Sequence, residues 1–230
     1  MKITYWSDYA CPYCYIGEAR LKKAIKDLDL KDVELDMRAF QLDPNAPIKS
    51  NGDTLTRFAN KYGLSKDEAM ERINDISKQG IDEGLDFKYA TTLFTNTMDA
   101  HRLTKYVASK KDSKMLNKTI DELFKAYFSD NLELADKEVL INIGKKVGLN
   151  EEEITELLNS NQFEDDVRFD EREASMYGIH GVPFFLIDDV YAIPGAVSTK
   201  DMKDVLKKVK QKNKDNASSG HICGPDGCIL

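Results

Sequence analysis

The sequence predicts an α/β fold, a central mixed β-sheet interrupted by a long all-helical segment. Three observations carry that prediction. A short apolar strand, Ile3-Thr4-Tyr5-Trp6, passes through the polar break Ser7-Asp8 into Cys11-Pro12-Tyr13-Cys14 and then into a helix. From about residue 53 to residue 177 the apolar residues recur at helical spacing almost throughout. Strand character returns at Pro183-Phe184-Phe185-Leu186-Ile187, followed by a second short strand and a last helix.

The first helix is marked by Ile16, Ala19, Leu21, Ala24, Ile25 and Leu28, which recur near a period of 3.6. Cys11 falls at its N-terminus, where unpaired N–H groups and the helix dipole favour negative charge. That stabilises a thiolate, the reactive form of cysteine. Pro12 suits the first turn, because it has no N–H to leave unpaired and its φ is preset. Cys14 lies one turn on, within reach to close a disulfide. Half of a zinc site or two packed core cysteines are the alternatives. A zinc ribbon wants a second CxxC at matching spacing, and the chain has none. Residues 33–40 alternate apolar and polar, the strand period. Strand, CxxC helix, strand is the opening of a thioredoxin-like βαβ unit, and Asp43-Pro44-Asn45-Ala46-Pro47 then breaks the pattern.

Asp53 caps the next helix, to about Tyr62, and Ser65 with Glu68 forms a capping box for another. Helices follow at residues 96–110, 114–128, 137–147, 151–158 and 162–177, with Gly63 and Gly148 where C-terminal caps belong. Glu151-Glu152-Glu153 is the first turn of a solvated helix, where carboxylates suit the dipole. After residue 187, Asp188-Asp189 makes a tight turn into Val190-Tyr191-Ala192-Ile193, and Pro194-Gly195 stops that strand. Ser198 with Asp201 caps a final helix carrying Met202, Val205, Leu206 and Val209. From Lys210 onward the composition reads as a flexible linker. The expected organisation is a thioredoxin-like domain from residues 1–48 and 162–212, a helical insertion domain at 49–161, and a flexible tail at 213–230.

The 230 residues suffice to bury a core without disulfides. The 33 Lys and Arg against 40 Asp and Glu leave a net charge of −7, with no basic stripe, which argues against nucleic acid and anionic membrane surfaces as partners. No apolar run approaches the ~20 residues of a spanning helix. Met1-Lys2 leads straight into the first strand without a signal-peptide core, so the expected location is cytoplasmic. There a disulfide is usually catalytic or transient. The four cysteines fall as two close pairs, one at each end, which suits two local redox pairs better than a structural framework.

Gly181-Val182-Pro183 precedes an apolar strand far from the CxxC in sequence. In a thioredoxin-like fold this is where a cis-proline lies against the active-site cysteines, leaving the backbone of Val182 free to pair with an extended substrate. A trans-proline at a strand start is the alternative.

These segments together resemble the DsbA family of thiol oxidoreductases, and most closely its cytoplasmic FrnE-like branch. The resemblance covers residues 1 to about 210. It rests on Asp8-Tyr9-Ala10-Cys11-Pro12-Tyr13-Cys14-Tyr15-Ile16-Gly17, on Asn96-Thr97-Met98-Asp99-Ala100-His101-Arg102-Leu103, and on Gly178-Ile179-His180-Gly181-Val182-Pro183-Phe184-Phe185. It implies a thioredoxin fold split by a helical domain, with the active site in the groove between them. It implies Cys11 as nucleophile, Cys14 as resolving cysteine and Pro183 as the cis-proline. Gly195-Ala196-Val197 departs from the Gly-Ala-Gln that relatives often carry there. Glutathione-dependent isomerases and kappa-class transferases share the architecture but typically place serine where Cys11 stands, so two cysteines favour thiol–disulfide exchange.

Tyr13 and Val182 are expected to line the substrate groove. His101 shares a helix with Ala100, Leu103 and Val107; it is either a packed histidine or part of that groove. Tyr5, Trp6, Tyr9, Phe94 and Phe184 are candidates for an apolar groove that takes unfolded chains, but each taken singly is better placed in the core. At the C-terminus, Gly224-Pro225-Asp226-Gly227 is turn chemistry that brings Cys223 and Cys228 together as a second redox pair and relay. With His221 they would supply three soft metal ligands, too few to close a structural zinc site; a tail without function is the remaining reading.

The sequence thus reads as a cytoplasmic protein disulfide oxidoreductase or isomerase. Its substrates are protein or low-molecular-weight disulfides and thiols, glutathione among them. The chemistry requires no organic cofactor and no metal, and the oligomeric state is left open, a dimer being one option. The rivals are a glutathione-dependent isomerase or transferase of the same fold, and a non-enzymatic holdase in which the cysteines are incidental.

Overall fold

The computed structural model describes residues 1–218. Strand β1 (Lys2–Ser7) leads to helix α1 (Pro12–Asp27) and strand β2 (Glu34–Ala39). Helices α2 (Thr54–Tyr62), α3 (Lys66–Asp82), α4 (Met98–Ser109), α5 (Ser113–Phe128), α6 (Lys137–Val147), α7 (Glu151–Leu158) and α8 (Glu164–Met176) follow, with a 3-10 turn at Tyr89–Thr91 after α3. Strands β3 (Phe184–Ile187) and β4 (Tyr191–Pro194) then form a hairpin, and α9 (Thr199–Ser218) ends the described chain.

The sheet order is β2-β1-β3-β4, with β1 parallel to β2 and antiparallel to β3, and β3 antiparallel to β4. This is the thioredoxin-like architecture expected from the sequence; α2 to α8 lie in sequence between β2 and β3, and α8 packs against the sheet. β1 is central and buried on both faces, because successive side chains alternate between them. Ile3 and Tyr5 enter the main core with Phe185 and Ile187. Trp6 points the other way, into a smaller cluster with Ala174 of α8 and Ile179. There the Trp6 indole N–H donates to the Asp170 carbonyl at 3.1 Å.

Local chemistry sets the helix ends. Asp53 accepts from the Thr56 N–H at 2.7 Å, and Ser65 and Glu68 exchange both bonds of the capping box. Gly63 and Gly148 end their helices at φ 62° and 101°, conformations that cost glycine little. Asp188 and Asp189, at φ 48° and 56°, form the two-residue hairpin turn.

The helical insertion is fastened to α1 by aromatic packing. Tyr15 stacks on Phe124 of α5 at 5.0 Å, and Phe87 stacks on Phe128 at 4.8 Å beside them. Each such pair contributes about 0.5–1.5 kcal/mol beyond its buried area. A charged clamp adds to this. Arg20 and Lys23 of α1 meet Glu83 at 3.0 and 3.1 Å, and Arg20 also donates to the Ala196 carbonyl at 2.8 Å.

The expected linker from Lys210 is corrected: the chain stays helical to Ser218. The absence of core-forming residues marks a helix leaving the core, not the end of the helix. Its outer turns lie along the hairpin, where Asn213 donates to Asp188 at 2.8 Å and the Lys212 ammonium sits 5.3 Å from the Tyr191 ring centre. Residues 219–230, with His221, Cys223 and Cys228, lie outside the described residues.

Candidate active site

Cys11 is the N-cap of α1, in extended conformation at φ −91° and ψ 115°, with Pro12 opening the first turn. Its carbonyl accepts from the Cys14 N–H at 3.1 Å, and its own N–H donates to the Asp8 carbonyl at 3.0 Å. The thiol is therefore fixed where the helix leaves donors unpaired. Its Sγ lies 3.5 Å from the Val182 carbonyl oxygen, which accepts from it. The Val182–Pro183 peptide bond is cis. Pro183 is buried, and its carbonyl accepts from the Gly195 N–H at 2.8 Å. Gly17 allows the approach of α1 to this loop. A Cβ there would stand 3.1 Å from Pro183 Cγ and 3.3 Å from Phe185.

Cys14 sits one turn in, 1% exposed, and Cys11 is 3% exposed; both are free thiols. The Asp8 N–H donates to Cys14 Sγ at 3.5 Å. Burial pushes the Cys14 thiol well above its ordinary value, and neighbouring Cys11 adds to the effect.

Tyr13 is 40% exposed and forms one wall of a cavity of about 370 Å³. Phe58 and Tyr62 of α2, Tyr89, and Arg72 and Asp75 of α3 are among its other lining residues. The Val182 carbonyl faces Cys11, and Tyr13 follows Cys11 by two residues in the cavity wall. Of the two readings open for His101, the structure has the packed one. It is 1% exposed, packed with its ring centre 4.9 Å from that of Tyr9, and does not line the open cavity. Its Nε2 lies 3.5 Å from Asp8 Oδ1 with no hydrogen-bond partner. Burial follows from its place on the inner face of α4 with Ala100, Leu103, Thr104 and Val107.

Two residues escaped the sequence reading. Asp8 passed as part of a polar break, yet it is 2% exposed and its carboxylate accepts from the Ala10 and Leu42 N–H groups at 3.3 and 2.8 Å. Glu18, 2% exposed, accepts from the Tyr5 hydroxyl at 3.3 Å and pairs with Lys22 at 3.0 Å. Burial raises its carboxyl pKa despite Lys22. Its spacing of four residues from Cys14 places it on the same helix face, a signal present in the sequence.

A split thioredoxin-like sheet with two cysteines at the start of α1 defines a class of thiol–disulfide oxidoreductases. The chain belongs to the DSBA-like thioredoxin domain family, whose pattern matches residues 2–207. Among solved structures it is similar to the probable DsbA oxidoreductase SCO1869 from Streptomyces coelicolor. The identity is 30%, the TM-score 0.84, and 100% of this chain and 99% of that one are covered. It also shares its fold with a 2-hydroxychromene-2-carboxylate isomerase, at 14% identity and a TM-score of 0.69, over 96% of this chain and 100% of that one. Among curated proteins it is similar to the uncharacterized protein YwbO of Bacillus subtilis (strain 168), at 26% identity over 92% of this chain and 98% of that protein.

Proposed function

We infer that this protein carries out thiol–disulfide exchange with Cys11 as nucleophile and Cys14 as resolving cysteine. One observation carries the reading: Cys11 is the N-cap residue of α1 with its Sγ 3.5 Å from the Val182 carbonyl oxygen, and Cys14 is buried one turn behind it. Cys11 stands at the N-terminus of α1, the end of a helix that favours negative charge. The thiolate attacks one sulfur of a substrate disulfide, and the other sulfur leaves with the bond's electron pair and takes up a proton. Cys14 then loses its proton and attacks Cys11 Sγ. The Cys11–Cys14 disulfide forms, the bond to substrate breaks, and the second substrate sulfur leaves as a thiol. The substrate is reduced by two electrons and the protein dithiol oxidised by two; run backwards, the same steps oxidise a dithiol.

The cavity beside Tyr13 supports protein or small-molecule disulfides and thiols, glutathione among them, as substrates. Its aromatic walls suit apolar groups, and Arg72 and Asp75 suit charged ones. The electrons for one exchange reside in the cysteines, and a thiol reductant such as glutathione returns the Cys11–Cys14 disulfide to the dithiol for the next. Among the described residues no helix is long and apolar enough to cross a membrane, in keeping with the cytoplasmic location proposed here.

Insulin reduction tests the reading. Cys11→Ser should abolish turnover, and Cys14→Ser should accumulate a covalent adduct on Cys11 visible by mass spectrometry. Turnover retained by Cys11→Ser would overturn it. Aggregation suppression unchanged in Cys11→Ser, without turnover in the wild type, would point to a holdase. Cysteine at position 11 sets the chain apart from isomerases of similar architecture, where serine is typical.

A further inference from the structure

Asp8 holds both cysteines through its main chain. Its carbonyl accepts from the Cys11 N–H, and its N–H is aimed at Cys14 Sγ. Its carboxylate, three bonds from that nitrogen, is buried and accepts two backbone N–H bonds, from Ala10 and from Leu42 in the loop after β2. Among the described residues, no lysine or arginine forms an ion pair with it. The cations nearest in sequence to His101 are engaged elsewhere. Arg102 binds Asp99 and the carbonyls of Leu157, Ser160 and Gln162, and Lys105 binds Asp170. The Tyr9 and Tyr127 hydroxyls also feel the Asp8 charge, and burial keeps both protonated. The side chain that faces the carboxylate is His101, reaching across from α4 with Nε2 at 3.5 Å from Oδ1 and no other partner.

A buried nitrogen without a partner is costly, and so is a buried carboxylate short of donors. Closing the gap by a few tenths of an ångström makes Nε2–H a donor to Asp8 and satisfies both. The consequence falls on Cys14. Burial and Cys11 oppose ionisation of Cys14, and the Ser7 side chain and the Asp8 N–H favour it; negative charge on the residue that supplies this N–H works against the thiolate. A donor that takes up part of the carboxylate's charge relieves the opposition and also fixes the peptide whose N–H points at Cys14 Sγ.

We propose that His101 is a positioning residue for the resolving step, acting on Cys14 through its hydrogen bond to Asp8. The proposal rests on the exchange reading above, and it divides the labour between the two halves of the molecule. The thioredoxin-like half carries the reacting thiols, and the inserted α4 sets the ease with which the second one ionises.

Stopped-flow reaction with the chromogenic disulfide 5,5′-dithiobis(2-nitrobenzoate) separates the two steps. The first equivalent of thionitrobenzoate reports attack by Cys11, and the second reports resolution by Cys14. His101→Phe should slow the second phase about threefold or more and move its pH midpoint up by about half a unit, since one unit corresponds to a factor of ten. Asp8→Asn, which removes the charge, should move the midpoint down. His101→Gln, which keeps a donor, should restore most of the rate. The first phase should stay within about twofold in all three, because a factor of two is only about 0.4 kcal/mol. Superimposable second phases in His101→Phe, Asp8→Asn and wild type would overturn the proposal. A parallel shift of both phases would overturn it too, as the mark of a merely structural role. If His101→Phe does not fold, the downward shift in Asp8→Asn decides the matter, and an unchanged or raised midpoint there refutes it. Wild-type protein that releases no second equivalent would instead overturn the exchange reading itself.

Discussion

The two thiols differ by where one helical turn puts them. Cys11 is the N-cap residue, joined to Pro12 and Tyr13 of the cavity wall, while Cys14 lies one turn deeper and burial holds its proton. Iodoacetamide at neutral pH should therefore label Cys11 before Cys14 in the reduced protein, with peptide mapping as the readout. Faster labelling of Cys14 would reverse the assigned roles. Gly17 offers a second single-residue test. Alanine there gains about 1 kcal/mol of helix propensity, but its methyl would press on Pro183 and Phe185. Gly17→Ala should leave urea stability nearly unchanged and slow insulin reduction, because the displaced loop carries the Val182 carbonyl that faces Cys11.

The elements were legible where a local pattern decides them. Asp53, the Ser65–Glu68 box, Gly63 and Gly148 mark their helix ends in the sequence because a cap is a contact between residues two to four apart. The CxxC and the segment before Pro183 were equally visible, one from spacing and one from its place before a strand. What was not legible depends on contacts across the chain. Asp8 looks like turn chemistry until Leu42 and His101 arrive from 34 and 93 positions away. Lys210 onward looks like a linker because nothing local reveals that Asp188 and Tyr191 lie beside it. Two substitutions probe the elements. Asp53→Ala should cost about 1 kcal/mol by loss of the cap and loosen α2, which carries Phe58 and Tyr62 in the cavity wall. Gly80→Ala should be worse, by about 1–3 kcal/mol for overpacking, because a Cβ there would stand 2.5 Å from the Phe87 ring. Urea denaturation measures both.

At the scale of the molecule, the insertion and the sheet share one continuous apolar core, so they should unfold together. Their charged clamp carries a pH dependence. Burial raises the Glu83 carboxyl, but Lys23 and Arg20 outweigh it, and the net shift is downward. A carboxylate whose folded pKa is depressed contributes stability above its unfolded value and loses that contribution as pH falls through the folded one. Thermal stability should therefore decline on acidification below about pH 4.5, and Glu83→Gln should flatten that decline while costing about 1–3 kcal/mol at neutral pH through lost charged hydrogen bonds. Melting curves across the acid range check this.

Trp6 is the single tryptophan of the chain, and it sits at the seam between β1 and α8. Its indole is 1% exposed, bonded to the Asp170 carbonyl and edge-on to Tyr177 and Phe184. The protein thus contains its own optical probe, placed on the far side of the sheet from the main core. Native emission should be blue-shifted and shielded from acrylamide. Any event that lifts α8 from the sheet should appear as a red shift, before the helical signal in circular dichroism changes. A shift that only coincides with loss of the helical signal would mean that α8 leaves the sheet only when the whole molecule melts.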